Sequence, residues 1–264
     1  MTDSRKIKQF SRGIKGNNLF LRCLLSIHTF NQAPVSVHTP DANLGHRFVT
    51  GTMGATQSVE VRLAEIKALF WDVGGVLLTN AWDHTQREEV LARFQLDRKE
   101  FSERHDLVVS SFERGKITFD EYLDRTVFYQ PRGFSRDEFK SCVYEQSKAN
   151  PEALSLAKGL ADSGKYLMGT INNESRELNL YRIEKFGMRS IFRVFVSSCF
   201  VGLRKPEEAI YRLALDITQQ TADAWCFIDD RALNLEVAKR LGMHTIEMDD
   251  VEQLREDLTK LGVG

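Results

Sequence analysis

The chain of 264 residues has only four cysteines, Cys23, Cys142, Cys199 and Cys226, and no two of them form a C-x-x-C pair. That spacing excludes the common zinc and redox motifs, and it leaves reduced, structural thiols in a cytosol-like compartment as the expectation. Excess charge is also missing. The formal net charge is -1 and the pI about 6.6, so no global attraction draws the chain to nucleic acid or anionic membrane, and neither partner is expected. The longest apolar candidate, Leu19 to Ile27, is short and interrupted by Arg22, whereas a membrane span needs roughly 20 such residues. A cytoplasmic protein is therefore expected. Its oligomeric state is not legible.

Residues 1–58 carry Arg5, Lys6, Lys8, Arg12, Lys15, Arg22 and Arg47 against Asp3 and Asp41, with no sustained period. They read as a disordered or non-native extension upstream of Met53, the alternative being an acid-poor leader for organelle import. From Arg62 the pattern is regular. Apolar strand candidates at 66–71, 166–171, 192–197, 224–228 and 244–248 alternate with helical stretches, which predicts a doubly wound parallel α/β sheet. Pro206 is placed in the first turn of one helix, with Ile210, Leu213 and Ile217 as its inner face. Leu233, Val237 and Leu241 give the inner face of the next, which Gly242 ends.

The interval between the first and second strands is too long for one crossover helix. Residues 84–148 supply about four, two of them announced by the capping boxes Thr118-Phe119-Asp120-Glu121 and Ser135-Arg136-Asp137-Glu138. The hydrophobic staples Ile117/Tyr122 and Phe134/Phe139 flank those boxes. The expected organisation is a core of residues 64–80 and 150–264 with a helical cap of residues 81–149 over the carboxyl edge of the sheet.

That edge collects the chemistry. Asp72 ends the first strand and enters the turn Val73-Gly74-Gly75, Asn172 and Asn173 end the second, Lys205-Pro206 follows the third, and Asp229-Asp230 end the fourth. Open α/β sheets bind ligands at the carboxyl ends of their strands. Taken singly, these residues read as a turn, a helix N-cap and a loop lysine; their shared order at successive strand ends argues otherwise. A carboxylate attacking a phosphoryl group must overcome anion repulsion. Asp229 and Asp230 offer oxygens to Mg²⁺, Lys205 adds a point charge, and Gly74-Gly75 lets backbone N–H groups approach an anion.

With those residues in that order, the chain resembles the haloacid dehalogenase superfamily over about residues 64–264. The family's first motif is similar to Leu69-Phe70-Trp71-Asp72-Val73-Gly74-Gly75-Val76-Leu77. Its third is similar to the run from Gly202 through Lys205-Pro206 to Tyr211, and its fourth to Phe227-Ile228-Asp229-Asp230-Arg231-Ala232-Leu233-Asn234. The resemblance implies a Rossmann-like core with a small helical cap, and a Mg²⁺-dependent phosphatase of small phosphorylated metabolites that forms an aspartyl-phosphate on Asp72. It implies catalytic roles for Asp72, Lys205 and Asn172, substrate contacts from Val73, Gly74, Gly75 and Asn173, and metal binding by Asp72, Gly74, Asp229 and Asp230.

Two positions depart from the family pattern. Gly74 stands where a second Asp usually serves as general acid and base, a loss of about 10² to 10⁴ in rate where such a group acts. Asn172 stands where Ser or Thr is usual, with Thr170 the other candidate. The first departure points to phosphates with stable leaving groups, such as anomeric sugar phosphates. Two alternative readings are a 2-haloacid dehalogenase, which needs no metal, and a degenerate member that binds a ligand or partner without turnover. From the lid, Trp82, His84 and Phe112 are candidate wall residues, and His84 is a candidate replacement acid unless it is exposed.

Overall fold

The structure, a computed structural model, describes residues 65–264. The reading of residues 1–58 as an extension or leader lies outside them. Among the described residues, no helix is long and apolar enough to cross a membrane.

The chain forms β1 (Ala68–Trp71), then α1 (His84–Arg93), α2 (Arg98–Glu113), α3 (Phe119–Thr126), α4 (Arg136–Glu145) and α5 (Pro151–Asp162). β2 (Leu167–Asn172), α6 (Arg176–Lys185), β3 (Val194–Ser197) and α7 (Ser198–Val201) follow. The carboxyl-terminal part is α8 (Glu208–Thr218), β4 (Trp225–Asp229), α9 (Ala232–Arg240), β5 (His244–Glu247) and α10 (Val251–Lys260). All five predicted strands form, each within a few residues of its expected bounds, in one sheet of order β3-β2-β1-β4-β5. Every pairing is parallel. β1 is central and the chain builds outward from it in both directions, so a crevice opens at its carboxyl end, where Asp72 lies.

Alternation along β1 explains the two layers of core. Leu69 and Trp71 join the apolar cluster that holds Ala153, Ala157, Leu254 and Leu258 of α5 and α10. Ala68 and Phe70 face the opposite way, toward Ile210, Tyr211 and Ala214 of α8 and Leu235, Val237 and Ala238 of α9. Phe70 stacks on Trp225 at 3.9 Å. On its other flank the backbone of Gly169 lies so close that a Cβ there would meet the Phe70 ring at 2.3 Å.

Helices α1 to α4 fill the interval between β1 and β2 and bury their own apolar cluster, centred on Trp82, Phe101, Phe112, Phe119, Tyr122 and Phe139. Both predicted capping boxes are formed, on Thr118 with Glu121 and on Ser135 with Glu138. The two linkers of this insertion run side by side. Thr79 N donates to the Lys148 carbonyl, and Lys148 N to Thr79 Oγ1, both at 2.9 Å, while Asn150 N donates to the Leu77 carbonyl at 2.9 Å.

Two helix faces differ from the expectation. α8 starts at Glu208, because a turn closed by Glu207 N donating to the Arg204 carbonyl occupies the preceding residues, so Pro206 precedes the helix. Its inner face is Ile210, Tyr211 and Ala214, and Ile217 is exposed. On that face the Tyr211 hydroxyl donates to the Asn234 carbonyl at 3.0 Å. α9 likewise buries Asn234, Leu235, Val237 and Ala238 and leaves Leu233 exposed. Gly242, at φ 91°, ends it as expected.

Gly169→Ala is expected to destabilise the fold by about 1–3 kcal/mol, because sheet backbone and a stacked ring leave no room to relax. Gly159→Ala, inside α5 with nothing within 4 Å of the added methyl, should stabilise by about 0.5–1 kcal/mol. Urea unfolding of the two variants checks the opposite signs.

Candidate active site

The strand ends converge on a buried lysine. Lys205 Nζ lies 2.8 Å from Asp72 Oδ1 and 2.6 Å from Asp229 Oδ2, with the lysine side chain 2% exposed. The Asn173 side chain clamps the lysine's backbone: its Oδ1 accepts from Lys205 N and its Nδ2 donates to the Lys205 carbonyl, each at 2.8 Å. Burial alone would lower the lysine's pKa, but Asp72 and Asp229 outweigh it and hold the ammonium charged above its usual range.

Oxygens of Asp72, Asp229 and Asp230 lie within 4.8 Å of one another. Three carboxylates thus face one buried ammonium, with the Arg231 guanidinium, itself paired with Asp83, only at 4.0 Å from Asp230 Oδ1, an imbalance that a divalent cation would correct. Asp230 Oδ1 is buried with no hydrogen-bond partner. No donor among the described residues reaches Asp72 Oδ2, while Oδ1 accepts from Val73 N at 2.7 Å. Among the described residues the Gly74 carbonyl accepts no backbone hydrogen bond, as the flanking bonds run from Leu78 N to the Val73 carbonyl and from Gly75 N to the Leu78 carbonyl. These three oxygens fit a hard cation. Asp229 is different. Besides Lys205 it accepts from Arg231 N at 2.9 Å and from Asn234 Nδ2 at 2.9 and 3.0 Å, so its lone pairs are engaged by protein. It lies within reach of a metal but is built as an anchor for Lys205.

Without a cation, burial raises the Asp72 carboxyl to about 7, Lys205 opposing and Asp229 and Asp230 adding to the effect. Asp230 is raised by burial and by Asp229, against Arg231, Asn80 and Lys205.

The two glycines differ in their surroundings. Gly75, at φ +78°, has Asp230 Oδ2 only 2.0 Å from where a Cβ would stand, so its bareness admits the Asp230 carboxylate. At Gly74 a Cβ would meet Asn80 Oδ1 at 2.6 Å. The space in which an acidic side chain would begin is filled by an amide. Gly74 lines the cavity; Val73 and Gly75 do not.

Asn172 does not face the cavity either. Its Nδ2 donates to Asn179 Oδ1 at 3.0 Å and its Oδ1 accepts from Ser197 Oγ at 2.8 Å, ties that hold β2 to α6 and β3. Asn173 lines the cavity, yet its amide is spent on Lys205. Thr170 is buried with no partner for its hydroxyl.

Above the edge lies a cavity of about 110 Å³, whose lower wall includes Asp72, Gly74, Asn173 and Lys205. The insertion supplies Trp82, Asp83, Arg87, His105, Phe112 and Glu113. Trp82 and Phe112 are where the sequence suggested; His84 is exposed beside Glu88 and reaches nothing in the cavity. The sequence reading missed Asn80, Arg87, His105, Glu113, Arg204 and Arg231. Arg204, Arg231 and Glu113 carried a signal, each being adjacent to a residue already singled out, Lys205, Asp230 and Phe112. Arg204 pairs with Glu113 at 2.7 Å and Arg231 with Asp83, so both loops that carry site residues are latched to the insertion.

A family model of haloacid dehalogenase-like hydrolases matches residues 66–242. The match covers more than half of the chain, which therefore belongs to that family. The chain is 25% identical over 214 residues to bifunctional epoxide hydrolase 2 of Sus scrofa, covering 74% of this chain and 39% of that protein, so it spans about two fifths of that relative's length. It is 25% identical over 216 residues to flavin mononucleotide hydrolase 1 of Arabidopsis thaliana, covering 80% of this chain and 84% of that one. Among solved structures, the HAD family enzyme BT-2542 of Bacteroides thetaiotaomicron superposes with a TM-score of 0.64 at 23% identity, over 73% of this chain and 99% of that one. A complex of that enzyme with magnesium and inorganic phosphate gives a TM-score of 0.62 at 23% identity, over 72% and 98% of the two chains.

In metal-free solution the folded chain keeps the Asp72 proton up to about pH 7, whereas the unfolded chain releases it near 3.8. Between those values the folded state binds more protons, so this group's contribution to stability falls as pH rises through the window. Thermal unfolding in chelator from pH 4 to 8 should show the decline, and Asp72→Asn should flatten it. An unchanged slope in that variant would contradict the assignment.

Proposed function

We propose that this haloacid dehalogenase-like hydrolase is a Mg²⁺-dependent phosphatase of small phosphorylated metabolites, with Asp72 as its nucleophile. The observation that carries the reading is the imbalance at the sheet edge: three carboxylates around one buried ammonium, with Asp72 Oδ2 and Asp230 Oδ1 unbonded. An acidic trio of this kind disfavours a metal-free dehalogenase, because uncompensated neighbours raise the cost of the Asp72 anion. The magnesium and phosphate complexes of BT-2542 and the flavin mononucleotide hydrolase support the same direction.

In the proposed reaction, one oxygen of the Asp72 carboxylate attacks the phosphorus while Lys205, at 2.8 Å, keeps the carboxylate in line. The bond from phosphorus to the leaving oxygen breaks, and the alcohol takes its proton from solvent, since residue 74 offers none. Water then attacks the aspartyl-phosphate, restores the carboxylate and releases inorganic phosphate. Asp72, Asp230 and the Gly74 carbonyl would hold Mg²⁺, whose positive charge would offset repulsion between the anions. Asp229 and Asn173 position Lys205 from either end. Substrates whose leaving group needs little protonation, anomeric sugar phosphates among them, suit a site without the second acid. The cavity also favours small molecules, since pockets for drug-sized ligands begin at roughly 300 Å³.

Phosphate release from a panel of phosphorylated metabolites should require Mg²⁺, vanish in chelator and vanish in Asp72→Asn. Anomeric sugar phosphates should exceed primary alkyl phosphates, and release from no compound would refute the reading. Asn173→Ala, which frees the Lys205 backbone without touching the reacting atoms, should lower kcat about 10–100-fold, the usual effect of losing a supporting partner. Steady-state kinetics on the best substrate measures it.

A further inference from the structure

Four of the five cations around the cavity are already matched to carboxylates. Lys205 is held by Asp72 and Asp229, Arg182 by Glu174 at 2.9 Å, Arg204 by Glu113 at 2.7 Å, and Arg231 by Asp83. Arg87 is the exception. It lines the cavity from α1, half-buried, and no carboxylate among the described residues comes within 4.0 Å of it. Among the described residues its one side-chain bond, from Nη1 to the Trp82 carbonyl at 2.8 Å, fixes the guanidinium and leaves its other donors unassigned.

A second donor stands beside it. His105 Nδ1 is 2.7 Å from the Tyr122 hydroxyl, which lies 3.0 Å from Trp82 Nε1. The indole can only donate, so the Tyr122 oxygen accepts from it and the hydroxyl proton is free for His105. Burial, aided by the Arg87 charge, lowers His105 to about 4 and keeps the ring neutral at physiological pH. With the hydroxyl proton assigned to His105 Nδ1, the single ring proton sits on Nε2, for which no acceptor exists among the described residues, and His105 lines the cavity. An unpaired guanidinium and an unused imidazole N–H share one wall, with Trp82 and Phe112 alongside.

We propose that Arg87 and His105 form a subsite for a second anionic group, so that the substrate is a small phosphate ester that also carries a carboxylate or a further phosphate. The assignment rests on the phosphatase reading for which group reacts, but the subsite itself is defined by binding. A cation left without a counter-ion in a half-buried wall is costly until an anion reaches it, and a planar guanidinium suits either oxyanion.

The test uses three stable phosphonates with the Mg²⁺-loaded full chain: 3-phosphonopropionate, its neutral isostere 3-phosphonopropionamide, and ethane-1,2-diphosphonate. Calorimetry should show the carboxylate or the diphosphonate binding about 10–100-fold more tightly than the amide, the range expected of one charge-assisted pair. Whichever dianionic arm wins identifies the second group. In Arg87→Gln the ratio to the amide should fall toward one, and in Arg87→Lys it should be partly restored. Equal binding of the amide and both charged compounds, no binding by any of them, or a ratio unmoved in Arg87→Gln would overturn the proposal. Preferential binding by a protein that releases no phosphate from any ester would instead sink the phosphatase reading and leave the subsite standing.

Discussion

The lysine ammonium held between Asp72 and Asp229 is the constraint to which the surrounding structure answers. A buried cation is tolerable only when its solvation is replaced by fixed charge and hydrogen bonds, and here both are supplied by strand ends. β1 and β4 are neighbours in the sheet and bring their terminal carboxylates to either side of Nζ. β2 contributes Asn173, which fixes the lysine's own backbone. Asn234 and the Arg231 amide then hold Asp229. The ties come from the ends of β1, β2 and β4 and from α9, so a shift in any of these reaches the same nitrogen.

The same economy governs the space around it. Gly75 has no side chain because Asp230 occupies the position, and Gly74 has none while Asn80 fills the room beside it. The turn after β1 is therefore packed by groups brought from elsewhere in the chain. Its departure from the family pattern at residue 74 is a feature of a tightly filled turn. The lid is tied down at the same points, since Arg204 and Arg231 sit next to Lys205 and Asp230 and reach Glu113 and Asp83 across the cavity.

Much of this was legible in the sequence because strand ends are set by local pattern. Apolar runs that end in acidic residues locate Asp72 and Asp229-Asp230, the Lys205-Pro206 pair follows the third run by a short loop, and capping boxes place α3 and α4, all without any tertiary knowledge. What failed were choices that depend on direction. Asn172 and Asn173 are adjacent and chemically identical, so only the pleat and the partners Asn179 and Ser197 decide which one turns toward the cavity. In α8 and α9 two apolar faces were available, and the buried one was chosen by contacts with the sheet. The wall residues Arg87 and His105 lie on helices whose orientation comes from the packing of Trp82, Tyr122 and Phe101, which no local period reports.

The zipped linkers at Thr79 and Lys148 carry a consequence of their own. Because the insertion leaves the core and rejoins it through neighbouring segments bonded to each other, its two ends span almost no distance. Segments with adjacent ends are exchanged most readily between proteins. The charged edge of the sheet and the wall that faces it thus occupy separately inheritable lengths of chain, and one reacting centre can be handed a new selectivity by replacing a single contiguous stretch.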